Sequence, residues 1–290
     1  MRGTCIMSAA ITDICPDFFA FWDQAHDAPV EEQWRLWQQL YEGRHRDIFA
    51  SYYHEFPWAR ERSRAERAFQ RYRDVLPRVR PLMPQSAALI EQTAAGCVDL
   101  LDAPRRALPC VVMIGLFISD GWSTTFRGER TSFIALEYAH EPRYLEILLA
   151  HEAAHSYHAR CHADVWRRHH IGEALFLEGF ATLISSEVVP GATVAEYLCF
   201  GPGHEAWLTA CERQWPAICQ QVLRDFDCTE PARFATYFQE RGDSALPPRS
   251  GYYAGYQAVR ALRQRHAPGE MARWDLAHAA EQLRALLPHL

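Results

Sequence analysis

The pentapeptide His151-Glu152-Ala153-Ala154-His155 has the residue types and the spacing of a metal-activated hydrolytic centre. Residues four apart on an α-helix share a face, one turn apart. His151 and His155 can therefore offer two imidazoles to one zinc ion. The carboxylate of Glu152 then stands beside the metal, placed to take a proton from a bound water. An amphipathic helix with an exposed His/Glu edge is the alternative. Leu145, Ile147, Leu148, Leu149 and Ala150 precede the motif and argue against it. That run buries the helix, and buried imidazoles and carboxylates need partners.

A third ligand must come from outside the pentapeptide. A ligand at position 161 reached through a turn-back would need a glycine at 158 and a histidine or aspartate at 161; the chain has His158 and Cys161 there. A straight helix carries His158 and His162 roughly 5 and 10 Å beyond His155 along the axis, so they are expected around the site or on the surface. His169 and His170 read as exposed. Glu178 is the preferred ligand: it is embedded in Phe176-Leu177-Glu178-Gly179-Phe180-Ala181, so its charge needs a cation, and Gly179 permits close backbone approach. Glu173 is the fallback, with a polar role at a helix start as its competing explanation.

The elements that must position these residues can be read from pattern. Pro142 opens a helix at a favoured first-turn position, and its apolar members run to about Cys161. A second helix fits Glu173 to Val188, ending at Pro190-Gly191. Ahead of them, Cys110 to Ile118 and Thr131 to Leu136 are apolar runs that read as two strands of a small sheet. The polar, glycine-bearing segment Asp120 to Arg130 reads as the loop between them. From Pro16 to about Leu101 the periodicity is helical, and the arginine-rich stretch Arg60 to Val79 reads as a solvated helix face because acids are interleaved. The fold class is α+β with helix dominating. Two regions are expected: a helical one over 1–108, and one over 109–290 that holds the metal site and a helical tail.

Composition narrows the chemistry further. The 290 residues are 49% apolar and 23% charged, an ordinary balance for a folded soluble chain. A formal charge of −6 argues against nucleic acid as a partner. All 30 basic residues are arginine, which excludes Schiff-base and phosphate-loop lysine chemistry. No stretch approaches the roughly 18 apolar residues of a membrane span, and residues 1–14 lack the apolar core of a signal peptide. A cytoplasmic protein is expected. Nine irregularly spaced cysteines without a C-x-x-C pair fit that and argue against a disulfide framework.

With these residues assembled, the chain resembles the gluzincin metallopeptidases, thermolysin and especially aminopeptidase N and its relatives. It is also similar to a bacterial family of predicted zinc-dependent proteases. In the gluzincins the third ligand lies on a second helix within N-E-G-F-A, and Leu177-Glu178-Gly179-Phe180-Ala181 matches four of those five letters. The relatives also carry a Y-x-x-G tyrosine that stabilises the oxyanion, and Tyr252-Tyr253-Ala254-Gly255 fits. The resemblance thus implies Tyr252 as the transition-state tyrosine, with Tyr253 as alternate if the register shifts by one; packing aromatics are the competing explanation. The G-x-M-E-N motif that holds a substrate amino terminus is missing. Phe133 to Glu137 occupies its place, with Glu137 as a possible substrate contact and the strand as a dock for an extended substrate. The implied fold is a thermolysin-like zincin domain with a small, mostly antiparallel sheet flanked by helices.

The expected activity is hydrolysis, with a peptide as substrate, zinc as cofactor, and Glu152 and Tyr252 as catalytic residues. Two rivals stand beside it: a metal-dependent enzyme acting on a small non-peptide molecule, and an inactive binding protein on the same fold. The intact pentapeptide disfavours the second, since a retired enzyme has no use for Glu152. Oligomeric state is not legible.

Overall fold

In the computed structural model, residues 10–104, 108–138, 141–162, 170–239 and 245–290 are described. Five helices lead the chain: α1 (Cys15–Ala25), α2 (Val30–Leu36), α3 (Arg46–Glu55), α4 (Arg62–Val79) and α5 (Met83–Leu100). A π-helical turn, Trp37–Glu42, follows α2 directly. Nine more come after the sheet: α6 (Pro142–Cys161), α7 (Ile171–Val188), α8 (Val194–Cys199), α9 (Glu205–Arg213), α10 (Trp215–Arg224), α11 (Pro231–Phe238), α12 (Ser250–Leu262), α13 (Pro268–Met271) and α14 (Leu276–Leu286). The class is α+β, mostly helical. Among the described residues no helix is long and apolar enough to cross a membrane.

The sheet departs from expectation in two ways. It has four strands, β1 (Ile11–Asp13), β2 (Cys110–Met113), β3 (Gly121–Phe126) and β4 (Glu129–Ala135), in the order β1-β2-β4-β3. It is mixed rather than mostly antiparallel: β1–β2 and β2–β4 run parallel, and only β3–β4 is antiparallel. The reason is the length of the connections. All five leading helices separate β1 from β2, long enough to bring the chain back in the same direction. In addition, the segment read as a polar loop is strand β3. Arg127 and Gly128 both have positive φ (50° and 80°), the backbone of a tight hairpin turn whose twist matches paired strands.

By contact density the chain divides into two units, Met1–Gln92 with Arg106–Leu148, and Thr93–Arg105 with Leu149–Leu290. The first is built on edge-to-face aromatic packing around Phe18, Trp37, Tyr41 and Tyr72. Strand β2 stops at Met113 because side chains take over its backbone partners. The Tyr41 hydroxyl accepts from the Ile114 amide and donates to its carbonyl, and the Tyr52 hydroxyl accepts from the Leu116 amide. Tyr72 donates to the Gly115 carbonyl, and Glu137 accepts from the Gly115 and Phe117 amides. Every one of these buried polar groups has found a partner outside the ladder.

The second unit centres on α7, which is apolar on nearly all sides and buried on nearly all sides. Its first amides have partners. Ile171 and Gly172 donate to the Cys228 and Phe226 carbonyls, and Glu173 donates to His170 Nδ1. Helices α12 and α14 pack on it. Where α7 crosses α12, glycine meets glycine. A Cβ placed on Gly179 would lie 2.2 Å from the Gly255 carbonyl, and one placed on Gly255 would lie 2.2 Å from the Leu175 carbonyl.

Candidate metal centre

His151 and His155 fall one turn apart on α6, as their spacing requires, and both are buried. Glu178 comes from α7, with its side chain 12% exposed. The three donor atoms form a triangle. His155 Nε2 is 3.0 Å from His151 Nε2, His151 Nε2 is 3.2 Å from Glu178 Oε2, and His155 Nε2 is 3.6 Å from Glu178 Oε2. Burial alone would raise the Glu178 carboxyl; the two imidazoles beside it outweigh burial and hold it well below the ordinary carboxylate range.

This donor set fits zinc. Ligand atoms about 2.0 to 2.2 Å from a tetrahedral zinc stand roughly 3.3 Å from one another, and the three sides scatter about that length. Two imidazole nitrogens and a carboxylate oxygen, all able to act as acceptors, converge on one point. Among the described residues they are the group that can hold a metal ion. Glu173, the fallback ligand, is buried near the start of α7 but lies outside this group. Glu152 lies on α6 beside His151 and is 6% exposed.

The family model described as "Predicted Zn-dependent protease (DUF2268)" matches residues 122–283, more than half of the 290-residue chain. The chain belongs to this family of predicted zinc-dependent proteases. The matched span contains His151, Glu152, His155, Glu178 and Tyr252. No curated protein matches the chain, and no solved structure does.

In this member of the family, the other histidines of the sequence argument have structural work. His158 is fully buried rather than on the surface. Its ring lies on Phe176 of α7, and its Nε2 donates to the Trp274 carbonyl at 3.0 Å. Burial, with the His162 ring adding to it, pushes the His158 imidazole down to about 4, so it is neutral at physiological pH. His162 makes the same kind of contact with the Arg273 carbonyl at 3.2 Å. His170 is half-buried, not exposed, because it caps α7; His169 lies outside the described residues.

Of the remaining candidates, Tyr252 sits in the first turn of α12, three residues before the Gly255 crossing, and is half-buried. Tyr253 is 5% exposed, with its ring 5.5 Å from Trp215. Glu137 belongs to the first unit. It is 2% exposed, and its two carboxylate oxygens accept the Gly115 and Phe117 amides. Burial pushes its carboxyl up to about 7 even though those amides and the charge of Arg71 pull the other way.

Two residues in contact with these candidates escaped sequence reasoning. Phe200 closes α8 in a left-handed conformation (φ 55°) and sets its ring edge-on to His151 at 4.9 Å. Arg249 precedes α12, also left-handed (φ 59°), and its guanidinium lies 4.7 Å from the centre of the Tyr252 ring. The only hints were the breaks at Gly201-Pro202-Gly203 and Pro247-Pro248. A phenylalanine or arginine is an unexpected tenant of left-handed backbone, since its Cβ crowds the carbonyl.

Proposed function

We propose that this protein is a zinc-dependent metallopeptidase of gluzincin type, cleaving peptide bonds. The observation that carries the reading is the convergence of His151 Nε2, His155 Nε2 and Glu178 Oε2 within 3.6 Å of one another, two ligands from one helix turn and one from the next long helix. Membership of a family of predicted zinc-dependent proteases supports it. When bound, zinc supplies Lewis-acid chemistry, acidifying a water and polarising a carbonyl.

The chain's own residues do the rest. Glu152, one position after the first ligand, is the general base: it takes the proton of the attacking water and delivers it to the departing amine. The hydroxyl of Tyr252 donates a hydrogen bond to the oxygen that gains charge as the carbonyl becomes tetrahedral. His158 and His162 anchor the 273–274 segment to the metal helix through backbone carbonyls, so they steady α6 without sharing in the reaction.

The test pairs metal analysis with a peptide library. The expected result is about one zinc per chain and hydrolysis of at least one peptide class. Glu152→Gln should keep the metal and lose hydrolysis by roughly 10² to 10⁴, the usual weight of a general base. A Glu152→Gln protein that turns over at the wild-type rate removes the general-base assignment. A zinc-loaded wild type inert toward peptides but active on small amides or esters moves the substrate class.

A further inference from the structure

Tyr252 is held from two sides. The Phe238 ring meets it at 5.7 Å and 70°, edge to face, and the Arg249 guanidinium covers the ring at 4.7 Å. Arg249 has a second attachment: its Nη2 donates to the Leu198 carbonyl at 3.3 Å. Leu198 is in the last turn of α8, two residues before Phe200, whose ring lies on the metal-ligand candidate His151. The contacts therefore form a line from His151 through Phe200 and Leu198 to Arg249 and Tyr252. Both residues that turn the chain along this line, Phe200 and Arg249, have left-handed backbones that glycine or asparagine would adopt more readily. Helix capping does not require an arginine there, because the residue preceding a helix is most often a small polar one. Strain of this kind persists where surrounding structure over-determines it, and it clusters at functional sites.

We infer that Arg249 is a positioning residue: it fixes the Tyr252 phenol relative to the metal centre by tying its ring to the Leu198–Phe200 segment packed on His151. A planar guanidinium suits the task, since it can lie flat on a ring while donating in its own plane to a carbonyl. The inference rests on the proposed role of Tyr252 and goes beyond it, since it gives Arg249 a part in placing that tyrosine.

The experiment is a double-mutant cycle on the full-length zinc-loaded chain, with Arg249→Gly, Tyr252→Phe and the combination. Glycine relaxes the left-handed backbone, so Arg249→Gly should fold and keep one zinc per chain. If Arg249 were there only for stability, a changed Tm would be the whole of its effect, and the folded, zinc-loaded variant would keep wild-type kcat. The positioning role predicts in addition a kcat lowered roughly 10- to 100-fold with KM nearly unchanged, the scale of a misplaced catalytic group. The double variant should be no slower than Tyr252→Phe alone. A readout free of activity accompanies it. In spectra of the apo protein with ¹³C-labelled tyrosine, the Tyr252 ring signals, identified by their loss in Tyr252→Phe, should shift and broaden in Arg249→Gly while those of Tyr253 hold. If Arg249→Gly fails to fold, Arg249→Asn, which also tolerates the backbone, takes its place.

Wild-type kcat with unmoved Tyr252 signals overturns the inference, as does a double variant slowed by the product of the single effects. Tyr252→Phe turning over at the wild-type rate is a different result: it removes the role of Tyr252 itself, and the inference with it.

Discussion

Gly179 on α7 and Gly255 on α12 touch backbone to backbone, a Cβ on Gly179 falling 2.2 Å from the Gly255 carbonyl. Gly179 directly follows the candidate ligand Glu178, and Gly255 lies three residues after Tyr252. The crossing thus sets the distance between the helix that carries Glu178, the candidate third ligand, and the helix that carries Tyr252. It also gives the two short motifs a shared physical basis: the glycine of each is there for the other.

Gly179→Ala or Gly255→Ala should therefore force the helices apart. The expected destabilisation is about 2 kcal/mol or more, the range of overpacked interiors, and zinc affinity should fall with it because Glu178 moves. Gly201→Ala is the control, since a Cβ there meets nothing closer than 4.0 Å. Chemical denaturation and metal titration of the three variants decide it. Equal stability in all three would mean that the crossing yields easily.

Zinc stoichiometry separates Glu178 from Glu173 on α7. Glu178→Ala should lose the metal, as should His151→Ala and His155→Ala, while Glu173→Ala keeps it at about one per chain. Mass spectrometry under non-denaturing conditions reads this directly. Metal retained in Glu178→Ala and lost in Glu173→Ala transfers the third ligand to Glu173.

For the tyrosine pair, Tyr252→Phe should bind zinc and substrate nearly as wild type and lose roughly 10² to 10³ in kcat, the usual cost of an oxyanion donor. Tyr253→Phe should turn over normally, because that ring packs on Trp215 about 100° around the helix. Steady-state kinetics on the best library peptide gives the comparison. The reverse pattern places the catalytic hydroxyl on Tyr253.

Glu137 makes folding stability depend on pH. Its carboxyl stands at about 7 in the folded chain against an ordinary 4.5, chiefly through burial. Between those values the folded state keeps a proton that the unfolded chain has released, so stability falls as pH rises through that window, by on the order of 3 kcal/mol at most. Glu137→Gln cannot ionise and should flatten the slope between pH 5 and 8, whatever its effect on stability at any single pH. Urea unfolding across that range measures it; an unchanged slope assigns the pH dependence to another group.

Much of the helical frame was legible because helix periodicity is local. The helix expected from Pro142 to about Cys161 spans Pro142–Cys161, and the one expected from Glu173 to Val188 starts two residues earlier, at Ile171. A four-residue spacing suffices to put His151 and His155 on one face. A glutamate among apolar neighbours needs a cation, and Glu178 meets both imidazoles. Tertiary structure alone decided the rest. Strand β3 hides in a polar segment because its partner is β4, and the parallel β1–β2 pairing depends on chain returning from 99 residues away, as from Thr12 to Val111, register that no local pattern encodes. His158 is buried because Trp274 offers it a carbonyl, and Phe200 and Arg249 take left-handed backbones against their own intrinsic preference. A residue's own side chain biases its backbone; only packing from distant segments can hold it in a conformation it would not choose.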